Sequence, residues 1–161
     1  MNLLALLLTL ATYHEDVGSE RLQAHRESIA QSVSRESKKA PRPPREWVAL
    51  MLTVANHETH FSIRISDGNC RKHECDRGKA KGLYQLHRNS LNWDDWAKQD
   101  GNVPLQAKLG SDALRRAYYT CSRSGVPWLI GTLNAYAGKR CSANWPGLQA
   151  RVATFNRLVG K

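Results

Sequence analysis

Between positions 55 and 62 the chain reads ANHETHFS, two histidines bracketing a glutamate. Imidazoles bind metals and a carboxyl group moves protons, so this stretch could host either a zinc ion or Glu58 acting alone. Spacing separates the two. The helical zinc motif His-Glu-x-x-His sets its imidazoles four residues apart, so that both project from one face toward one ion. Here His60 follows His57 by three. A three-residue step still shares a helix face, so a common ion is geometrically open, but the motif that favours it is absent. Two histidines at the solvated end of a helix are the commoner reading.

Glu58 follows a long apolar stretch and so sits where a buried helix is expected to end. Partial desolvation and the negative end of the helix dipole both raise the pKa of a carboxyl group in that position. A glutamate kept protonated near neutral pH is what a general acid requires. An ordinary exposed glutamate is the alternative. Downstream lie a glycine-rich stretch ending in GKAKGLYQLH (78–87) and, much later, LNAYAGKRC (133–141).

Taken together, Glu58 with Phe61 three residues on, Gly82-Leu83-Tyr84-Gln85 and the Ala-Tyr-Ala-Gly stretch around Tyr136 resemble the lysozyme-like superfamily. The likeness is to lytic transglycosylases and goose-type lysozymes, which cleave peptidoglycan. It runs in motif order from about residue 46 to 158. The resemblance implies that Glu58 is the catalytic acid, that Gly82, Leu83 and Gln85 line the sugar groove with Tyr84 where methionine is usual, and that Tyr136 positions the acid. The glycine of the third motif, Gly138, stands two residues after Tyr136 rather than three. The resemblance also implies a lysozyme-like α+β fold.

A second carboxylate decides the reaction. Inverting glycosidases need a base that activates water, whereas a lytic transglycosylase uses one acid and lets the sugar's own 6-hydroxyl attack, leaving a 1,6-anhydro end. Asp76 in CDRGKAKGLYQ is the candidate, because goose-type lysozymes carry an aspartate in a similar Asp-Arg-Gly-x-x-x-Gly-Leu setting. A loop carboxylate paired with Arg71 or Arg77 is the alternative, and Glu74 has no family counterpart. His87, two residues after Gln85, is a further candidate for substrate contact, as is Tyr84 beside the groove motif. Trp93, Trp96, Trp128 and Trp145 could stack on sugars, although tryptophans at helical spacing more often build cores.

Positioning these groups falls to elements the sequence outlines well. SERLQAHRESIAQSVSRES (19–37) reads as an amphipathic helix with Leu22, Ile29, Ala30 and Val33 near one face. KKAPRPPR then forbids helix with three prolines in four positions. From Trp47 to Ala55 every residue but Thr53 is apolar, which predicts a helix buried on nearly all sides. Residues 62–87 read as a loop or small β-hairpin wing. Helices follow within NWDDWAKQ, PLQAKLGSDALRRAYYTC, VPWLIGTLNAYA and NWPGLQARVATFNRLV. The outline is mainly α, with an N-terminal helical segment over 1–40 and a catalytic domain over 41–161 forming one compact unit.

With 161 residues the chain is long enough for one domain with a real core. A net charge of +10 points to a polyanionic partner: nucleic acid, an anionic membrane or a bacterial wall polymer. The cations are spread along the chain, which speaks against a dedicated nucleic-acid arm. Cys70, Cys75, Cys121 and Cys141 lack the knuckle spacing of a zinc site, and the favoured reading is two disulfides, Cys70 with Cys75 and Cys121 with Cys141, in an oxidising compartment. Four reduced thiols in a cytosolic protein are the alternative. Leu3 to Leu10 has the length of a signal-peptide core but no preceding basic residue, and is expected to be a helix that stays in the protein; it is too short to span a bilayer.

These expectations describe an enzyme acting on peptidoglycan glycan strands, with no metal or organic cofactor, no requirement for nucleic acid and no membrane span. Its setting would be the periplasm or wall of a bacterial host, reached in a phage virion and so in contact with virion or tail proteins. Two rivals are a non-catalytic wall-binding module and a basic nucleic-acid-binding helical protein.

Overall fold

The computed structural model describes residues 19–71 and 74–161. The apolar run at Leu3 to Leu10 lies outside the described residues. What is described is mainly helical, with one small antiparallel sheet. Helix α1 (Ser19–Ser37) buries Ile29 and Val33 in the same core cluster as the rest of the chain, so this N-terminal segment is part of the common core. It packs on α2 (Pro44–Thr59) and on α6 (Val103–Cys121).

The prolines end one helix and begin the next. Pro44 occupies the first turn of α2, where its missing N–H costs nothing. All nine residues from Trp47 to Ala55 are buried, Thr53 among them. Trp47 keeps its one polar atom satisfied, the indole Nε1–H donating to Ser111 Oγ at 3.1 Å. Helix α2 closes at His60, which takes a left-handed conformation and gives its N–H to Asn56 O, a common way to satisfy the last carbonyls of a helix.

The wing contains α3 (Ile63–Ser66), a single turn α4 (Cys75–Gly78), and a hairpin of β1 (Ala80–Lys81) with β2 (Leu86–His87), in register Ala80 with His87 and Lys81 with Leu86. Cys75, Asp76 and Arg77 in α4 all have positive φ, so the turn is left-handed. Such residues cost about 1 kcal/mol or more each, and the Cys70–Cys75 disulfide spans this loop. A short 3₁₀ turn (Arg88–Ser90) and α5 (Trp93–Ala97), capped by Asn92, lead back to the helical body. There α6 packs against α7 (Trp128–Tyr136), and α8 (Pro146–Val159) covers α2 and α7. The second disulfide, Cys121–Cys141, ties the end of α6 to the segment after α7. No helix among the described residues is long and apolar enough to cross a membrane.

The hairpin turn enters the core through Tyr84, whose ring lies on α6 at Gly110. A Cβ added at Gly110 would overlap the Tyr84 ring. Alanine improves an exposed helix by about 1 kcal/mol over glycine, but here the overpacking cost of about 1–3 kcal/mol opposes that gain. With three ring atoms inside 3 Å of the added Cβ the cost falls at the upper end of that range, so Gly110→Ala is expected to lower stability by about 1–2 kcal/mol net, read as a fall in the urea midpoint at unchanged slope. An equal or higher midpoint would show that the Tyr84 ring is free to move.

Candidate functional site

Glu58 lies in the last turn of α2, where the buried helix surfaces. It borders an open cleft of about 600 Å³, whose walls are the hairpin segment Tyr84 to His87 with Ser90, the outer part of α6 with Arg116, and the end of α7 with Tyr136 and Lys139. Glu58 is the sole carboxylate among the described residues lining this cleft. Its side chain is 23% exposed. Arg151, in α8, donates from Nη1 to Glu58 Oε1 at 2.9 Å. Glu58 Oε2 accepts no hydrogen bond from the described residues and is the oxygen left for a ligand.

Arg151 is held in turn. Its guanidinium lies 5.4 Å from the centre of the Trp145 ring, a cation over an aromatic face. Trp145 Nε1–H donates to Asn134 Oδ1 at 2.7 Å, and the Asn134 amide donates to the carbonyls of Cys141 and Ala143, both at 2.8 Å. The loop closed by Cys121–Cys141 therefore fixes Trp145, which fixes Arg151, which fixes one oxygen of Glu58.

Of the expected groove residues, Gln85 and His87 line the cleft. Gln85 adopts φ 45° and folds back, its Nε2 donating to Gly82 O at 3.0 Å. Three expectations are corrected. Gly82 and Leu83 do not line the cleft; Leu83 is 1% exposed, and Gly82 lies where a Cβ would stand 2.9 Å from Gln106. The Tyr84 ring is buried in the core and cannot stack on a ligand, because Gly110 of α6 leaves a seat for it there; Tyr84 meets the cleft through its backbone. Tyr136 does not hydrogen-bond the acid. Its hydroxyl donates to Tyr84 O at 2.5 Å. Burial first, then the negative charge of Glu58 nearby, push the Tyr136 phenol well above its ordinary pKa, so it stays a donor.

The turn is thus clamped by its backbone. Leu83 N–H donates to Gln106 of α6 and Leu83 O accepts from Thr59 of α2, while Tyr84 O accepts from Tyr136 of α7. Asp76 does not border the cleft and pairs with neither Arg71 nor Arg77; its Oδ2 is 3.7 Å from His87 Nδ1, with both side chains more than half exposed. Glu74 binds Arg64 through both oxygens, and that bond first of all, with the Arg71 N–H, holds its carboxyl down to about 2. Cys70–Cys75 and Cys121–Cys141 are the two expected disulfides. Sequence reasoning missed Arg151, Arg116 and Lys139.

The two histidines part company. His60 is exposed at the helix cap, whereas His57 is half-buried against α8 with Nε2 at 2.9 Å from Thr154 Oγ1. Thr154 gives its own hydrogen to Ala150 O, so His57 Nε2–H is the donor. Among the described residues no three metal-ligating side chains gather around one point. No family model, no curated protein and no solved structure matches the chain.

His57 carries a pH dependence. Burial, then the charges of Arg151, His60 and Arg157, lower its pKa below the ordinary value near 6.5. The folded state then binds fewer protons than the unfolded chain, so this contribution is complete above pH about 6.5 and is lost as pH falls below that value. His57→Gln, which keeps an amide donor for Thr154, is expected to flatten the decline in urea midpoint between about pH 7.5 and about pH 5 relative to wild type. Parallel declines in the two proteins would remove His57 from the account.

Proposed function

We propose that this chain is a peptidoglycan-cleaving lytic transglycosylase of lysozyme-like fold, acting on the β-1,4 bond between N-acetylmuramic acid and N-acetylglucosamine. The observation that carries the reading is Glu58, the one carboxylate among the described residues lining an open cleft, delivered by a buried helix and anchored by a single oxygen. A cleft with one acid suits a reaction in which the same group serves twice.

Glu58 Oε2 would give its proton to the glycosidic oxygen as the C1–O bond breaks and the electron pair leaves with that oxygen. The resulting oxocarbenium-like sugar lies beside Gln85 and the Tyr136–Tyr84 clamp. Glu58, now a carboxylate, takes the proton of the same sugar's 6-hydroxyl as O6 bonds to C1, giving a 1,6-anhydro end without water. Arg151 supplies a fixed positive charge at the moment the carboxylate forms, which is where preorganised electrostatics contribute most. The alternative is a hydrolytic goose-type lysozyme with Asp76 as base. Asp76 stands outside the cleft wall and beside His87, which favours the one-acid route.

A charge of +10 suits an anionic wall, and two disulfides suit an oxidising compartment. The periplasm or wall of a bacterial host meets both conditions, and delivery in a phage virion would bring the protein there.

Digestion of purified peptidoglycan by wild type, Glu58→Gln and Asp76→Asn, with released muropeptides read by mass spectrometry, tests the proposal. Anhydro-muramyl ends from wild type and Asp76→Asn are expected, with the Glu58→Gln rate down about a thousandfold, within the usual span of acid–base catalysis. Reducing ends that depend on Asp76 would make it a hydrolase. No release from any wall type would leave a wall-binding module as the better description.

A further inference from the structure

Beside the cleft, and sharing His87 with it, lies a second cavity of about 360 Å³ bounded by Gly78, Lys79, His87, Arg88, Asn89 and Trp96. Its polar side chains include an ammonium, a guanidinium, an amide and an indole N–H, and no carboxylate among the described residues borders it. Neither Lys79 nor Arg88 forms an ion pair among the described residues, and Asp76 stands 3.7 Å from His87 at the rim. The two cation-bearing walls are held at fixed spacing by Arg88 N–H donating to Lys79 O at 3.1 Å. Arg88 stacks 4.3 Å over the Trp93 ring, which orders its guanidinium while leaving its donors unspent.

An independent observation points to a ligand. Trp96 Nε1 is buried and has no acceptor among the described residues. A buried donor without a partner costs free energy comparable to a lost hydrogen bond, although the same ring is otherwise well placed, stacked on Trp93 at 5.5 Å and covered by Lys81 at 4.3 Å. The Trp96 ring borders the cavity, and a tilt that turned Nε1 toward it would let an acceptor from outside the chain satisfy this donor.

We infer that this cavity binds an oxyanion, a carboxylate or phosphate group, carried by the substrate beside its scissile bond. Arginine with lysine, an amide and an indole N–H recognises the several lone pairs of such a group, and Arg88 can meet two of its oxygens at once. The inference rests on the proposed glycan cleavage for its substrate, because His87 is common to both cavities and a strand seated at Glu58 would carry its substituents past it. In a wall polymer the oxyanion has two sources, the carboxylates of lactyl ethers and stem peptides or the phosphodiesters of attached polymers.

The binding test uses the full chain and the indole N–H resonances, with that of Trp96 identified from Trp96→Phe. Titration with sodium acetate and with sodium phosphate at constant ionic strength is expected to shift the Trp96 signal saturably, and Arg88→Ala is expected to abolish the saturation. A linear drift, or equal saturation in Arg88→Ala, overturns the site. For substrate, Arg88→Ala and Trp96→Phe are expected to raise KM about tenfold on intact wall, the loss typical of a hydrogen bond to a charged group, with kcat unchanged and no effect on wall freed of phosphodiesters and with its carboxylates converted to amides. Carbodiimide with ammonia converts carboxylates to neutral amides and hydrofluoric acid removes phosphodiester polymers; the treatment that erases the difference between wild type and variants names the source. Equal losses on the wall stripped of both kinds of oxyanion overturn the inference. A wild type that digests no wall overturns the proposed function instead, and the titration still decides the cavity.

Discussion

One buried amide joins the wing to the helical body. Gln106, 1% exposed on α6, makes all four hydrogen bonds its side chain allows. Its Oε1 accepts from Ser66 Oγ at 3.1 Å and from Leu83 N at 3.0 Å, and its Nε2 donates to Ser66 O at 2.8 Å and Gln99 O at 2.6 Å. These partners belong to α3, to the hairpin turn and to the segment leading into α6. Removing the amide would strand several buried groups at about 1–3 kcal/mol each. Such a hub needs room, and Gly82 supplies it. Its φ is positive and Gln106 stands where a Cβ would go, so its conformation and its missing side chain are both required.

The cleft inherits this arrangement. A two-residue ladder is too short to hold a turn by itself, so side chains from three helices take over the backbone of the Leu83–Tyr84 segment. The cleft wall is therefore as rigid as the helices that grip it, and the side chains of Leu83 and Tyr84 are released to the core. Clamping by backbone also explains how the motif Gly-Leu-Tyr-Gln can shape a groove while only Gln85 among its side chains faces it.

Much of this is legible in the chain. The uninterrupted run Trp47 to Ala55 predicts a helix with no solvent face, and all nine residues are buried. Pro41, Pro43 and Pro44 mark the break, although the structure uses Pro44 as the first residue of α2 rather than as connector. Cysteine spacing points to both disulfides, and glycines with charges mark the wing. Contacts between distant segments are not legible. The pairing of Glu58 with Arg151 crosses 93 positions, and no local pattern encodes it. A signal exists all the same: Arg151 stands at the spacing of Leu148, Phe155 and Leu158 on α8, a cation on the apolar stripe of an amphipathic helix, and such a residue needs a buried partner. Tyr84 misleads because proximity to the groove motif suggests exposure, whereas Gly110, the seat of its ring, stands on a separate helix later in the chain.

The charge arrangement around Glu58 has a consistent logic. Arg151 is 12% exposed and needs an acceptor for its guanidinium there. A carboxyl group at the mouth of a cleft needs one fixed oxygen if the other is to meet a ligand in a defined direction. Each group meets the other's requirement. Oε1 can accept from Arg151 whether Oε2 carries a proton or not, so the contact persists through both halves of an acid-then-base cycle and need not be rebuilt between them. Positive groups elsewhere in the cleft, Arg116 and Lys139, have no such partner among the described residues and stay at its exposed rim. They set the sign of the cleft without competing for the acid, because Arg151 already occupies the single oxygen of Glu58 that the protein holds.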